Sequence, residues 1–168
     1  MKNVEPKVVE FCDNDWVGSM DDMKSTVGYA FLLGTGVFSL TSKKQDNVAL
    51  STAEAEYVST TLARTQAMWL RKIMNDIGEK QEESTPFFWD NKSAIAMPKN
   101  PINHDATRHI KLKNHFIKDV VEEKEVNLVY CRIEEQVADI FTKTLPKIRF
   151  QCLRTLLGVQ QLHVKGEG

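Results

Sequence analysis

The sequence has no long apolar segment and few cysteines. No run approaches the roughly 20 apolar residues that span a bilayer, and the N-terminal stretch MKNVEPKVVE lacks the apolar core of a signal peptide. We therefore expect an intracellular protein. Cys12, Cys131 and Cys152 are widely spaced and form no C-x-x-C pair, which argues against a structural zinc site or a disulfide framework and predicts reduced thiols.

An excess of positive charge is missing as well. The 168 residues carry 22 Lys and Arg against 23 Asp and Glu, a formal net charge of −1. Affinity for nucleic acid would therefore have to come from local basic clusters. The hydrophobic fraction of 42% is ordinary for a globular protein, and the length favours one domain. We expect residues 8–145 to form that domain, with an N-terminal tail over 1–7 and a helix and polar tail over 146–168.

The order of apolar patterns predicts an α/β fold built on a mixed five-stranded sheet flanked by helices. β-branched and aromatic residues predict three antiparallel strands at the start of the chain. Helical crossovers then connect further strands, which makes parallel neighbours. The predicted strands are 7–12, 27–33, 37–41, 87–89 and 126–131, and the predicted helices are 51–77, a short one after Asp90, 105–123, 134–145 and one after Pro146.

The helix predicted over 51–77 begins with a capping box. Glu54 follows Ser51 by three residues. The serine hydroxyl can therefore accept a hydrogen bond from the backbone N–H of Glu54, and the glutamate side chain can accept one from the backbone N–H of Ser51. Gly78 suits the position just after the helix. Glu56 has no capping role, and an ionised carboxylate that points toward a sheet is costly unless a cation meets it.

Two stripes of residues run along this helix. The small stripe, Thr60, Ala63 and Ala67, follows Glu56 and would let the helix lie close to the sheet. The large stripe is expected to pack against other elements, and Trp69 within it is expected in the core. The large stripe consists of Val58, Leu62, Trp69, Ile73 and Ile77.

Four acidic residues lie at the boundaries of predicted elements: Asp13, Glu56, Asp90 and Asp139. Asp13 and Asp90 end strands that we expect to be parallel neighbours, so their side chains would emerge side by side. Converging carboxylates repel each other, and magnesium resolves the repulsion because it prefers oxygen ligands. Two such ions can activate water in phosphodiester hydrolysis. From spacing alone, the alternative that each acid is a helix cap or a solvated charge stays open.

Seven strings occur in one order: FCDNDW, GYAFLLG, SKKQ, ALSTAEAEY, WDNKSAI, RHIKLKNHFI and QVADIFTKTL. Together they resemble the ribonuclease H domain of copia-type LTR retrotransposon polyproteins. The resemblance covers nearly the whole chain and implies a ribonuclease H-like fold with magnesium-dependent cleavage of the RNA strand in RNA–DNA hybrids. It implies two Mg²⁺ ions, for which Mn²⁺ can substitute, held by Asp13, Glu56, Asp90 and Asp139.

The resemblance also implies a biological setting. Such a domain removes template RNA during reverse transcription, beside a reverse transcriptase domain that is expected in a parent polyprotein but absent from this chain. It would work in the cytoplasm, within a virus-like particle, or in the nucleus. Many cellular ribonucleases H use a histidine for product release, and this chain has Cys131, Arg132 and Ile133 in its place, as copia-like domains commonly lack it.

Basic and polar side chains are candidates for substrate contacts. On the helix predicted over 105–123, a basic stripe would either bind phosphates or face solvent. The stripe comprises Arg108, Lys111, His115 and Lys118. Other candidates, for contacts with phosphates or 2′-hydroxyl groups, are Asn14, Ser25, Lys43, Lys44 and Asn91.

Three functions fit these patterns. The first is a ribonuclease H endonuclease, which the complete set of four acids favours. The second is an orphaned retroelement fragment that binds nucleic acid without efficient catalysis. The third is an interaction module with no nucleic-acid role, for which partner binding would be independent of salt.

Overall fold

The computed structural model describes residues 7–16, 23–46, 48–49, 51–90 and 126–160. The helices predicted after Asp90 and over 105–123, and the end of the predicted polar tail, lie outside these residues. In chain order the described elements are β1 Val8–Asp15, β2 Thr26–Leu33, β3 Gly36–Lys44, α1 Thr52–Asp76, β4 Thr85–Trp89, β5 Val126–Tyr130, the 3₁₀ turns Ile133–Glu135 and Val137–Phe141, and the helix Lys147–Leu156, called α2.

The five strands form one mixed sheet in the order β3-β2-β1-β4-β5. β1 pairs antiparallel with β2 and parallel with β4, and β4 pairs parallel with β5. The predicted mixed sheet is confirmed, and the strands that lead to Asp13 and Asp90 are neighbours. The two residues Gly34 and Thr35 join β2 to β3, and Gly34 has a φ of 64°, which glycine adopts without steric cost.

Helix α1 begins and ends as its sequence predicts. The hydroxyl of Ser51 accepts a hydrogen bond from the backbone N–H of Glu54 at 3.2 Å, which is one half of the predicted capping box. At the other end Gly78 has a φ of 88°, and its N–H and that of Glu79 donate to carbonyls of the last helical turn. These two bonds form a Schellman motif, which satisfies carbonyls that the helix itself leaves unpaired.

The small stripe of α1 packs on the sheet, as predicted. Ala63 and Ala67 are 0% and 1% exposed, and they join Leu70 in a core cluster with Phe31 and Phe87 of the sheet. Because the sheet presents rings of this size, the helix can approach it closely only where its own side chains are small.

The prediction that the large stripe is buried is wrong at three positions. Leu62, Trp69 and Ile77 are 45%, 55% and 66% exposed. Since α1 turns its small stripe toward the sheet, side chains on the opposite side of the helix point away from it. Trp89 at the end of β4 is the tryptophan that lies in the core, at 3% exposure.

The continuous helix predicted over 134–145 is also wrong. Two short 3₁₀ turns stand in its place, separated by Gln136, whose backbone is extended. The Gln136 side chain is fully buried: its amide donates to the carbonyl of Cys12 at 3.1 Å and its oxygen accepts from the N–H of Ala138 at 3.3 Å. Because this side chain is bonded to β1, it holds the backbone out of helical geometry. The turn Val137–Phe141 is called the Asp139 turn below.

The Asp139 turn and α2 cover the second face of the sheet. Leu153 and Leu157 are 0% and 3% exposed and cluster with Ala30 and Leu32 of β2. The amphipathic helix predicted after Pro146 is thereby confirmed. The sheet is thus covered on one face by α1 and on the other by these C-terminal elements.

The three cysteines are free thiols, as predicted. Cys12 and Cys131 are buried, whereas Cys152 is exposed. Within the described helices, none combines the length and the apolar character needed to cross a membrane.

Candidate active site

Asp13 is a nearly buried carboxylate near the end of β1. It is 4% exposed and lies opposite Gly28 of β2. The ammonium of Lys143 donates to Oδ1 of Asp13 at 3.0 Å, and the hydroxyl of Thr142 donates to Oδ2. Burial raises the pKa of Asp13 to about 6, although the Lys143 charge and the Thr142 hydrogen bond both act to lower it.

Asp139 faces Asp13 from the Asp139 turn. It is 4% exposed, and its Oδ1 accepts a hydrogen bond from Lys143 at 2.8 Å. Its Oδ2 accepts from Arg149 of α2 at 3.4 Å, and the same guanidinium donates to two backbone carbonyls of the first 3₁₀ turn. The carboxylates of Asp13 and Asp139 therefore converge on the Lys143 ammonium.

Asp90 and Glu56 belong to the same electrostatic environment. Asp90 follows β4 directly, and Glu56 lies in the second turn of α1. Burial raises the pKa of Asp90; the Lys143 charge opposes this, and the charges of Asp139 and Glu56 raise the pKa further. Charge interactions therefore link Asp90 with Lys143, Asp139 and Glu56, while Asp13 and Asp139 contact Lys143 directly.

The close approach of the Asp139 turn to β2 depends on Gly28. A Cβ built on Gly28 would lie 2.6 Å from the side chain of Thr142, 2.9 Å from Cβ of Phe141 and 3.1 Å from the carbonyl oxygen of Ala138. Only glycine leaves enough room for the turn at this point. The absence of a side chain in β2 thus sets how near Asp139 lies to Asp13.

We predict that Gly28→Ala destabilises the fold by about 1–3 kcal/mol, because the added methyl group overpacks the contact and pushes the Asp139 turn outward. Chemical denaturation would measure the change. Gly36→Ala is the matched control, since its Cβ would meet no atom within 4 Å. Equal stability of the two variants would contradict this account of Gly28.

Sequence reasoning missed three residues of the site: Thr142, Lys143 and Arg149. Lys143 follows Asp139 by four residues, a spacing that favours an ion pair in a helical segment and could have revealed it. Thr142 and Arg149 gave no such local signal, because they reach the acids only through the packing of the Asp139 turn and α2.

The predicted substrate-binding residues have different outcomes. Asn14 is partly buried, and its amide nitrogen has no hydrogen-bond partner in the described ranges. Ser25 is 0% exposed, so the structure does not support a direct contact between it and a substrate. Lys43 and Lys44 are exposed at the end of β3, where Lys43 lies 3.3 Å from Asp46. Outside the described residues lie Asn91, Arg108, Lys111, His115 and Lys118.

The donor atoms of the site suit a hard divalent cation. Mg²⁺ prefers carboxylate oxygens, and Asp13 and Asp139 already direct one oxygen each to a shared cation, the ammonium of Lys143. Over the described ranges, no group of three or more Asp, Glu, His or Cys side chains is arranged to hold a metal ion directly. The chemistry of the acids therefore fits Mg²⁺, while Lys143 lies between Asp13 and Asp139.

Comparison with known sequences reveals long relatives. No protein-family model matches the chain. It is 34% identical over 155 residues to the retrovirus-related Pol polyprotein from transposon TNT 1-94 of Nicotiana tabacum, covering 92% of this chain and 12% of that protein. It is 34% identical over 149 residues to the retrovirus-related Pol polyprotein from transposon RE2 of Arabidopsis thaliana, covering 89% of this chain and 10% of that protein. The chain thus spans about a tenth of the length of these curated relatives.

Comparison with solved structures identifies the fold. LC11-RNase H1, crystallised in complex with an RNA/DNA hybrid, superposes on this chain with a TM-score of 0.58 at 13% sequence identity. The superposition covers 81% of this chain and 94% of the LC11-RNase H1 chain. The N-terminal RNase H domain of a Mycobacterium tuberculosis protein gives a TM-score of 0.56 at 11% sequence identity, covering 89% of this chain and 97% of that domain's chain. At these identities the likeness establishes the ribonuclease H fold alone.

Proposed function

Because the chain is homologous to retrovirus-related Pol polyproteins of copia-type transposons and has a ribonuclease H fold, we propose that it hydrolyses the RNA strand of RNA–DNA hybrids. The observation that carries the proposal is the convergence of Asp13 and Asp139 on one cation, Lys143, whose charge also acts on Asp90. Buried carboxylates are rarely gathered in this way unless a cation binds them.

In this proposal the four acids hold two Mg²⁺ ions. Bound ions would supply activation of a water molecule and stabilisation of the leaving oxygen. The chain's own residues orient the ligands: Thr142 fixes one oxygen of Asp13, and Arg149 fixes one oxygen of Asp139. These hydrogen bonds limit the rotation of both carboxylates, so each presents its other oxygen to the site.

The proposed substrate is an RNA–DNA hybrid. LC11-RNase H1, which shares the fold, was crystallised with such a hybrid. On this chain we propose contacts with backbone phosphates for Lys43 and Lys44, whose side chains are exposed at the end of β3, and Asn14 lies next to Asp13. In its relatives the homologous segment is part of a much longer Pol polyprotein, so we propose that it acts with a reverse transcriptase domain, in the cytoplasm or the nucleus.

The test is cleavage of a hybrid labelled on each strand by the purified chain, with Mg²⁺ and with EDTA. We expect metal-dependent cutting of the RNA strand alone, and loss of at least about 100-fold in Asp90→Asn, because removing a charged metal ligand costs several kcal/mol of transition-state stabilisation. Cutting that persists in EDTA or in Asp90→Asn would contradict the proposed mechanism.

A second candidate function is binding of hybrids without efficient cleavage. The position of Lys143 between Asp13 and Asp139 favours it, since an ammonium there competes with a metal ion for the same oxygens. Salt-sensitive binding of the hybrid by a folded chain that does not cut it would support this alternative.

A further inference from the structure

All four carboxylate oxygens of Asp13 and Asp139 have donors from the chain itself. Lys143 donates to one oxygen of each, at 3.0 and 2.8 Å. Thr142 donates to the second oxygen of Asp13, and Arg149 to the second oxygen of Asp139. Each of these oxygens can accept more than one bond, but the Lys143 ammonium already lies in the space between the two carboxylates.

Lys143 is the donor that can leave. Its side chain is 36% exposed, and its ammonium ends a flexible four-carbon stem. Arg149 is held in place by two backbone carbonyls in addition to Asp139, and Thr142 has a short side chain fixed to the Asp139 turn. The ammonium also lies between the two carboxylates, within hydrogen-bond distance of both.

The same contacts make Lys143 important while no metal is bound. Asp13 and Asp139 are each only 4% exposed, so water screens their mutual repulsion poorly. The Lys143 ammonium lies 3.0 Å from an oxygen of Asp13 and 2.8 Å from an oxygen of Asp139. Its positive charge offsets the repulsion that would otherwise push the Asp139 turn away from β1.

We propose that Lys143 is an internal counter-ion that holds Asp13 and Asp139 together before metal binds and that a divalent metal ion displaces from between them. The proposal rests on the metal site of the proposed function and adds a step to it, an exchange of one cation for another. Two consequences follow. The metal must compete with Lys143, which weakens its apparent affinity, and metal binding must release the lysine side chain to solvent.

Binding of Mn²⁺, measured by calorimetry or by the electron paramagnetic resonance of the free ion, tests the competition without any activity assay. Lys143→Met should bind Mn²⁺ about tenfold more tightly than the unaltered chain, a factor that corresponds to about 1.4 kcal/mol. Lys7→Met is the matched control, because Lys7 forms an exposed ion pair with Glu83 away from the acids. It should leave the affinity unchanged.

Chemical labelling of the unaltered chain provides a second measurement that needs no variant. Acetylation should modify Lys143 several-fold faster with saturating Mg²⁺ than with EDTA, and mass spectrometry would measure the rate. Lys7 should be acetylated at the same rate with Mg²⁺ and with EDTA. This result remains informative if Lys143→Met fails to fold.

The outcomes separate the two proposals. If the chain binds Mn²⁺ but Lys143→Met binds it no more tightly, and labelling of Lys143 is insensitive to metal, the counter-ion role is refuted while the metal site stands. If neither the chain nor the variant binds Mn²⁺, the metal-dependent function fails, and the exchange fails with it.

Discussion

Replacing Glu10 with methionine is expected to stabilise the protein by about 2 kcal/mol at neutral pH, equivalent to about 4–8 °C in melting temperature for a domain of this size. Glu10 lies in β1, paired with Phe31 of β2 on one side and Phe87 of β4 on the other. It is 0% exposed, and neither carboxylate oxygen has a hydrogen-bond partner in the described part of the chain. Methionine has a similar length and no polar atom to bury.

The stabilisation by Glu10→Met should depend on pH. Burial raises the pKa of Glu10 well above its ordinary value of 4.5. Below that value the carboxyl is protonated in both the folded and the unfolded chain. Above it the unfolded chain loses the proton while the folded chain keeps it, so the free energy of unfolding falls as pH rises toward the folded pKa. The difference between Glu10→Met and the unaltered chain should therefore widen from acidic to neutral pH.

Urea denaturation of both proteins across this pH range would measure the effect. Asp13, whose pKa is also raised, contributes to the pH dependence of both proteins and cancels in the comparison. Glu82→Met is a suitable control because Glu82 is exposed and forms only a surface ion pair with Lys80. A Glu10→Met variant that is no more stable than the unaltered chain would contradict this account of the buried carboxyl.

Glu56→Gln is expected to reduce Mg²⁺-dependent hybrid cleavage at least about 100-fold while the fold stays intact. Glutamine keeps the size of the side chain but removes the charge that, together with Asp139, acts on Asp90. Circular dichroism and thermal unfolding would show that structure is retained, and single-turnover cleavage would show the loss of rate.

Glu54→Gln provides the matched comparison on the same helix. Glu54 lies in the capping turn, where its backbone N–H donates to Ser51, and glutamine also serves in a capping box. We expect this variant to keep nearly full activity and stability. Loss of cleavage in Glu54→Gln, with retention in Glu56→Gln, would reverse the assignment of the two glutamates.

The elements that can be predicted from the sequence are those determined by local patterns. Runs of β-branched and aromatic residues identify the strands, and Ser51 and Gly78 mark the ends of α1 because capping depends on nearby residues alone. The four acids were singled out because each lies at the boundary of a predicted element, and the resemblance assigned them to a metal site. The neighbouring positions of β1 and β4 were expected to place Asp13 and Asp90 side by side.

The rest depends on contacts between distant residues. The pattern over 134–145 is compatible with a helix, and only the burial of Gln136 against β1 converts it to two short turns. Trp69 has the spacing of a core residue, yet the sheet accepts the small stripe instead. The spacing of Lys143 from Asp139 could reveal their ion pair, but its second contact, with Asp13, depends on packing between distant parts of the chain.

The hydrogen bond from Gln136 to Cys12 joins residues that are 124 positions apart. Such a contact closes a large loop, and its entropy cost delays it until much of the sheet has formed. During synthesis β1 leaves the ribosome long before the Asp139 turn exists. Asp13 and Asp139 can thus come together only late in folding, after the Asp139 turn has been translated, so a nascent chain would lack the proposed active site until that stage.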